Sequence, residues 1–276
     1  MDTAVHQTRR VEPFGRLELL QCGPDAEGEP PLLFLHGAFT GAWCWAEHFM
    51  PYFARAGFCC YALSMRGHGA SEGRERMSLH GIRHYVDDLA EAIEHIVEHV
   101  GAAPVLVGHS MGGLVVQKYL EQAELPAVVL VASVPPHGLV PASMSLALLK
   151  PQLLSELNAL LYQRRASVDA LRQALFSGPI AADRLQRYYT LMQPESPRAI
   201  WDMALFDLPQ TWRMQVPRML ILGAELDVMV PPQQVEACAR AYGTEAEIFP
   251  GIGHAMMLDC GWQRVADRIL DWLRAA

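Results

Sequence analysis

The sequence predicts an α/β fold: a central, mostly parallel sheet flanked by helices, with a helical segment inserted into it. Three features carry that prediction. Short runs of β-branched and aliphatic residues alternate with segments of helical spacing, joined by short loops, as in a parallel sheet covered on both faces. From Leu139 to Pro209 the alternation stops, only leucine-rich helical segments follow, and then it resumes. Between a strand-like run and a helix-like run stands Gly108-His109-Ser110-Met111-Gly112, the spacing of a sharp strand-to-helix turn known as a nucleophile elbow.

Taken in order, Val11 to Cys22 reads as an edge hairpin turning near Pro13-Phe14-Gly15, and Gly23 to Pro31 as a polar loop. Leu32 to Leu35 is a short apolar strand ending in His36-Gly37-Ala38. Trp45 to Ala56 is helix-like, Phe58 to Leu63 is a strand, and Arg66 to Ser71 is a loop. Gly81 to Val100 is a long amphipathic helix with Val86, Leu89, Ile93, Ile96 and Val100 on one face. The Val105 strand, the elbow with its helix, and a strand from Ala127 to Ala132 follow. In the insertion, helices are expected over Leu146–Leu161, Val168–Phe176, Ala182–Met192 and Arg198–Phe206, punctuated by Pro151, Gly178, Pro179, Pro194 and Pro197. The βα pattern returns with a strand at Arg218–Leu222, a helix at Gln233–Ala241, a strand at Ala246–Phe249 and a closing helix at Trp262–Arg274. Residues 1–134 and 210–276 are thus expected to form the core, and 135–209 the cap.

Composition narrows the function classes. A chain of 276 residues that is 51% apolar and 19% charged has ample material for a buried core. Its net charge of −8 argues against nucleic acid and against an acidic membrane surface as partners. Met1 to Glu12 carries Asp2, His6, Arg9 and Arg10 and no apolar stretch, so no secretory signal is expected. No apolar run reaches membrane-spanning length, so no stable membrane insertion is expected. The six cysteines form no C-x-x-C pair, and Cys59 and Cys60 are adjacent in a strand. A reduced, cytoplasmic protein without a zinc or redox centre follows as the expectation.

A serine hydroxyl is a weak nucleophile and needs a base, itself oriented by an acid. In a parallel sheet such groups gather just past the carboxyl ends of strands. His254 lies there, in the loop Gly251-Ile252-Gly253-His254 after the last strand, and Asp227 lies a few residues beyond the strand Met219 to Leu222. The chain order Ser110, Asp227, His254 is one of the three convergent orders of this triad. Glu225, two residues from Asp227, is the competing acid; after the preceding strand, Ser133-Val134-Pro135-Pro136 offers none. An oxyanion formed beside Ser110 would meet the Met111 backbone N–H at the start of its helix. A second donor is expected from Ala38 or Phe39, just past the Leu32–Leu35 strand.

Together these pieces resemble the α/β-hydrolases, in the serine esterase and lipase branch with a helical cap, over nearly the whole chain. The matching motifs are His36-Gly37-Ala38 with Trp43 and Trp45 beyond, Arg66-Gly67-His68-Gly69-Ala70-Ser71 and the Gly-His-Ser-Met-Gly-Gly elbow. Asp227 with Val230-Pro231, and Gly253-His254, complete the set in the family's order. The resemblance implies a cap after the strand that follows the elbow helix, where Leu139–Pro209 falls. It also implies cofactor-independent cleavage of a carboxylic ester, thioester or lactone in a small molecule with an apolar portion, with no metal. Residues 36–43 further resemble plant methylesterases and hydroxynitrile lyases. Those lyases carry a threonine after the loop histidine and a lysine after the catalytic histidine; Gly37 and Ala255 stand here, which favours hydrolysis. Dehalogenases and epoxide hydrolases resemble this fold but place an aspartate where Ser110 stands. Lyase, perhydrolase or C–C hydrolase chemistry, or ligand sensing without catalysis, are the alternatives the scaffold supports.

Other histidines and acids have plainer expected roles. His95-Ile96-Val97-Glu98-His99 matches the H-x-x-E-H pattern of a zinc peptidase class. Here Ile96 and Val97 are expected to face the core, with His95, Glu98 and His99 on a solvated acidic face. His68 is expected to hold a turn, His109 to pack beneath the elbow, and Asp259 to cap the last helix.

Overall fold

The structure is a computed structural model describing residues 8–11, 14–24, 29–161 and 167–275. The N-terminal stretch 1–7, Pro13 in the expected turn and residues 25–28 of the expected loop lie outside the described residues. An edge hairpin pairs β1 (Arg9–Arg10) with β2 (Glu18–Cys22), Arg9 opposite Gln21 and Arg10 opposite Leu20. The core strands follow the expected places: β3 (Leu32–Leu35), β4 (Cys60–Ser64), β5 (Val105–His109), β6 (Ala127–Val131), β7 (Arg218–Ala224) and β8 (Ala246–Phe249). They form one sheet in the order β1-β2-β4-β3-β5-β6-β7-β8, parallel from β4 to β8.

Alternate strand residues sort to opposite faces, as the period-two geometry of strands requires. Phe34 and Val107 pack with Trp45, Phe49 and Phe53 of α1 (Trp43–Ala46) and α2 (Phe49–Arg55), and with Val265 and Ile269 of the closing helix. Leu33, Leu35 and Leu106 pack with Leu89 and Ile96 of α3 (Ile82–Val100) and Leu114 of α4 (Met111–Tyr119). The sheet is therefore covered on both sides, and its central strands, apolar but for His109 at the end of β5, are buried throughout.

Strand order reverses at β3: β4 lies on one side of it and β5 on the other. Connections leaving such a point run to opposite faces, and the gap between them opens a crevice at the carboxyl ends of the strands. Leu35 is paired with Gly108 and His109 with Val131, which brings the loop after β3 beside the turn after β5.

The insertion contains α5 (Val140–Leu149), α6 (Pro151–Leu161), α7 (Val168–Leu175), α8 (Ala182–Leu191) and α9 (Pro197–Trp201). α9 runs on into a π-helical turn over Asp202–Phe206. The core resumes with α10 (Pro232–Ala241) and ends on α11 (Trp262–Arg274).

Three local expectations are corrected. The single helix expected over Trp45–Ala56 is two, because Pro51 lacks an N–H and is accommodated in the first turn of a new helix that starts at Phe49. The helix expected from Leu146 to Leu161 begins earlier and is likewise interrupted at Lys150, whose backbone leaves the helical region ahead of Pro151. Val97 is 39% exposed rather than core-facing; the covered stripe of α3 runs through Ile93 and Ile96 to the half-buried Val100.

The elbow itself is spatially constrained. A Cβ on Gly108 would come within 2.7 Å of the Gly113 Cα, and one on Gly112 within 2.6 Å of the Leu35 carbonyl oxygen. Both obstacles are backbone and cannot rotate away. Gly112→Ala should therefore destabilise the protein by about 1–3 kcal/mol through overpacking, whereas Gly178→Ala should be near neutral. A Cβ on Gly178 meets nothing within 4 Å, and denaturant midpoints of the two variants check the contrast.

Candidate active site

Ser110 stands between β5 and α4 with φ 52° and ψ −117°, a left-handed conformation that costs a serine roughly 1–3 kcal/mol unless its surroundings impose it. They do: the Ser110 N–H donates to Val131 O, and the Ser110 carbonyl accepts from Gly113 and Val134 N–H, all at 3.1 Å. Its side chain is thereby turned out of the sheet into a cavity of about 170 Å³, which Ala38 and His254 also line.

His254 sits in the loop after β8 and is buried. That loop is tied down from three sides. The Gly253 N–H donates to Asp259 Oδ2 at 3.0 Å, Ala255 N–H donates to Leu175 O at 2.9 Å, and His109 Nε2 donates to the His254 carbonyl at 2.9 Å. Burial and the neighbouring His254 ring hold the His109 pKa well below its ordinary value, so His109 acts as a neutral donor. Against the expectation that it packs beneath the elbow, His109 is buried yet lines the cavity beside His254, with ring centroids 4.7 Å apart. Asp259 differs from expectation. The N-cap of α11 is Gly261, and the Asp259 carboxylate instead joins Gly253 to the Ser177 N–H and hydroxyl, at 2.8 and 2.9 Å.

Asp227 lies past β7, nearly fully buried. Its Oδ1 accepts the Met229 and Val230 N–H groups at 2.7 and 2.8 Å, which leaves Oδ2 for His254 Nδ1 at 2.7 Å. A carboxylate only accepts, so Nδ1 carries the proton and Nε2 is left as acceptor. Nε2 lies 3.1 Å from Ser110 Oγ. The competing acid, Glu225, points elsewhere and accepts the Gly251 N–H at 2.8 Å. Ser133, after β6, is committed to Gln117 and the Val134 carbonyl. The three residues singled out from sequence are therefore brought together as one hydrogen-bonded chain.

The two backbone donors are separable. Met111 opens α4, where the first N–H groups of a helix have no intrahelical acceptor, and Ala38 precedes Phe39 in the loop after β3. The Phe39 N–H, the other candidate, donates to Glu195 Oε2 at 3.3 Å, so Ala38 is the donor carried forward. His36 fixes the start of that loop: its Nε2 accepts the Met65 N–H at 3.1 Å and its Nδ1 donates to Gly37 O at 2.8 Å. Burial, reinforced by the nearby His68, pushes the His36 pKa down to about 3, so the ring is neutral.

Glu195 was not legible in the sequence; its only mark is a lone acid flanked by Pro194 and, two residues on, Pro197. It is fully buried and paired with an equally buried His68 at 3.0 Å. Burial alone would raise the Glu195 pKa and lower that of His68. The mutual charge and hydrogen bonds reverse both effects, holding Glu195 below its ordinary 4.5 and His68 above its ordinary 6.5. His68 thus does more than hold a turn. In α3, His99 Nδ1 donates to the His95 carbonyl one turn back, at 2.7 Å. No group of three or more His, Cys, Asp or Glu side chains is placed to hold a metal ion among the described residues. Among them, too, no helix is long and apolar enough to cross a membrane.

Comparison with known proteins agrees with this architecture. A model of the alpha/beta hydrolase family matches residues 32–268. A monoacylglycerol lipase of Mycolicibacterium smegmatis is 32% identical over 97 residues, which cover 35% of this chain and 34% of that protein. An esterase from Exiguobacterium antarcticum superposes with a TM-score of 0.73 at 17% identity, covering 94% of this chain and 96% of the other. A bromoperoxidase from Bacillus anthracis superposes with a TM-score of 0.71 at 18% identity, covering 98% of this chain and 100% of the other. At such identities the superpositions establish a shared fold, and their differing names leave chemistry to be argued from the site.

The buried pair has a calculable pH signature. A group with a depressed pKa, Glu195, contributes stability present above its unfolded 4.5; one with a raised pKa, His68, contributes stability present below its unfolded 6.5. The pair's contribution is therefore whole between those values and declines as pH rises through the raised His68 pKa. His36 works in the opposite sense, losing its contribution as pH falls from 6.5 toward 3, so the pair is isolated by difference. The melting-temperature gap between wild type and Glu195→Gln should be larger at about pH 5.5 than at about pH 9. A gap that widens toward alkaline pH contradicts the ion-pair assignment.

Proposed function

The chain belongs to the alpha/beta hydrolase family, and from that premise we propose that it is a cofactor-independent serine hydrolase of carboxylic esters, with Ser110, His254 and Asp227 as its catalytic triad. The observation that carries the reading is the continuous chain Asp227 Oδ2–His254 Nδ1 (2.7 Å) and His254 Nε2–Ser110 Oγ (3.1 Å), with the second oxygen of Asp227 already filled by backbone donors. That arrangement selects the tautomer in which His254 Nε2 can take a proton from the Ser110 hydroxyl.

Ser110 Oγ then forms a bond to the ester carbonyl carbon while its proton passes to His254 Nε2. The imidazolium formed is stabilised by Asp227, and the carbonyl oxygen, now negative, is held by the Met111 and Ala38 N–H groups. Collapse breaks the carbon–oxygen bond to the alcohol, which leaves with the proton from His254. Water, deprotonated by the same nitrogen, attacks the acyl-enzyme and releases the carboxylic acid and free Ser110.

Substrate class is argued from the cavity walls. The insertion contributes Leu146, Leu171, Leu175, Tyr188 and Met203, and the loop after His254 contributes Leu258. Few polar groups are available there beyond those of the reaction itself, which suits an apolar acyl or alcohol portion. The helices of 135–209 thus act, in this reading, as a cap roofing the site. The relative named monoacylglycerol lipase aligns over about a third of either chain, and the pocket rather than that name supports an apolar ester.

Ser110→Ala should abolish hydrolysis of p-nitrophenyl butyrate and labelling by a fluorophosphonate probe while the melting transition persists; full turnover by that variant would sink the mechanism. Asp227→Asn should lower kcat on the order of 10⁴-fold by favouring the wrong His254 tautomer. Tight binding of small apolar ligands without labelling or turnover in the wild type would instead identify a ligand-sensing protein.

A further inference from the structure

One buried carboxylate takes no part in the proposed chemistry yet is surrounded by four donors. Glu195 follows α8 near the far end of the helical insertion. Its Oε1 accepts from Tyr85 Oη and from the Ser196 N–H, both at 2.7 Å. Its Oε2 accepts from His68 Nε2 at 3.0 Å and from the Phe39 N–H at 3.3 Å. An ionised carboxylate offers about four lone-pair sites, so the site is filled. The other nitrogen of His68 lies 3.2 Å from the Arg66 carbonyl oxygen, which only accepts. With acceptors on both sides, the ring carries both protons and the pair is imidazolium and carboxylate. An amide at position 195 would turn an NH₂ group toward one or more of these donors.

Phe39 is what makes this cluster more than a structural ion pair. It has φ 65°, a left-handed conformation disfavoured for a bulky side chain. It is held there from both ends by the same short segment of the insertion: its N–H by Glu195, and its carbonyl by the Gln193 N–H at 2.9 Å. Gln193 Oε1 also accepts the Gly69 N–H at 2.7 Å, anchoring that segment to the loop after β4. Ala38, the loop donor to the oxyanion, is the residue immediately before Phe39. The Phe39 peptide shares the Ala38 Cα with the Gly37–Ala38 peptide that carries the Ala38 N–H, so holding it restricts Ala38 ψ. The Gly37 carbonyl of that second peptide is held by His36 Nδ1 at 2.8 Å and Thr40 Oγ1 at 2.9 Å, and the two sets of bonds together set the direction of the Ala38 N–H.

We propose that Glu195 is a positioning residue for the oxyanion site: through the Phe39 N–H it aims the Ala38 N–H at Ser110, so that the site is complete only when the end of the insertion is docked. The inference rests on the proposed ester hydrolysis at Ser110. It differs from a purely structural role in which kinetic constant it controls. Donor alignment affects the tetrahedral oxyanion, whereas most of the apolar wall comes from other side chains, such as Leu146, Leu171 and Leu258, with Phe39 the residue shared between the two.

The test is steady-state hydrolysis of p-nitrophenyl butyrate by wild type, Glu195→Gln and Glu195→Asp, together with inhibition by an alkyl trifluoromethyl ketone, whose adduct with Ser110 places an oxyanion in the site. Deleting an oxyanion donor outright costs about 10²–10³ in kcat; misaligning one through Glu195→Gln should cost roughly 10- to 100-fold, with KM changed less than about threefold. Affinity for the ketone should fall in parallel, and Glu195→Asp, which keeps the charge, should recover part of both losses. A folded Glu195→Gln with kcat and ketone affinity within about twofold of wild type overturns the positioning role. Should Glu195→Gln not fold, Glu195→Asp carries the test, since the shorter side chain keeps the charge but withdraws the carboxylate from the Phe39 N–H. A folded Glu195→Asp with kcat lowered a few-fold at nearly constant KM supports the proposal, and unchanged constants overturn it. Fluorophosphonate labelling of the wild type separates the two levels of failure: absence of labelling and turnover removes the Ser110 reading itself, while an active, labelled wild type with an indifferent Glu195 removes this inference alone.

Discussion

The close approach of α4 to the ends of β3 and β5 is the constraint on which the site depends. It leaves no space for a Cβ at Gly108 or Gly112 and holds Ser110 at a φ of 52°. Strain of this kind persists only where the surrounding hydrogen bonds over-determine the backbone. Here Val131 and Val134, at and just past the end of β6, and Gly113, in the first turn of α4, do so. The consequence is a hydroxyl projected away from the sheet at the head of a helix, where backbone N–H groups are available to a developing negative charge. The reversal of strand order at β3 then supplies the neighbouring loop, so fold topology and site geometry have one origin.

Orientation of the base follows a similar logic of filled valences. Asp227 has two backbone donors on one oxygen and the imidazole on the other, so its rotation is fixed before any substrate arrives. The His254 loop is held at the His254 carbonyl by His109, at the Gly253 N–H by Asp259 and at the Ala255 N–H by Leu175, and the ring is held at Nδ1 by Asp227, which leaves Nε2 available to Ser110. Glu195 and His68 repeat the device beside the loop after β3, as a buried pair whose every polar site is matched. Such a pair is a weak source of net stability, because desolvating two charges offsets most of their attraction. Its geometric definition is what distinguishes it, since each donor must point at its own oxygen.

Much of this was legible in the sequence because it is encoded locally. Strands β3, β5 and β8 and helix α11 were readable from short-range apolar period, and the elbow from two glycines four residues apart around a serine. Asp227 and His254 were legible because each follows a strand end, a position with chemical meaning in a parallel sheet. Errors came where local pattern was ambiguous. Apolar spacing runs through Glu47 and His48 and through Lys150, but the backbone demands of Pro51 and Pro151 divide those helices. Asp259 looked like a cap because of its sequence position, whereas its hydrogen bonds lead to Ser177, 82 residues away.

By itself, then, the sequence determined the alternating α/β order, the run of helices between β6 and β7, the strained serine turn and the place of Asp227 and His254 just past strand ends. Each depends on residues within a few positions of one another, where steric rules act directly. Only the tertiary structure decided that Asp227 rather than Glu225 meets His254, that the Phe39 N–H is already engaged, and that Glu195 and His68 form a buried pair beside the loop after β3. Those contacts join segments up to 156 residues apart. Directional hydrogen bonds at such separations are fixed by how helices and strands pack, and linear spacing carries no record of them.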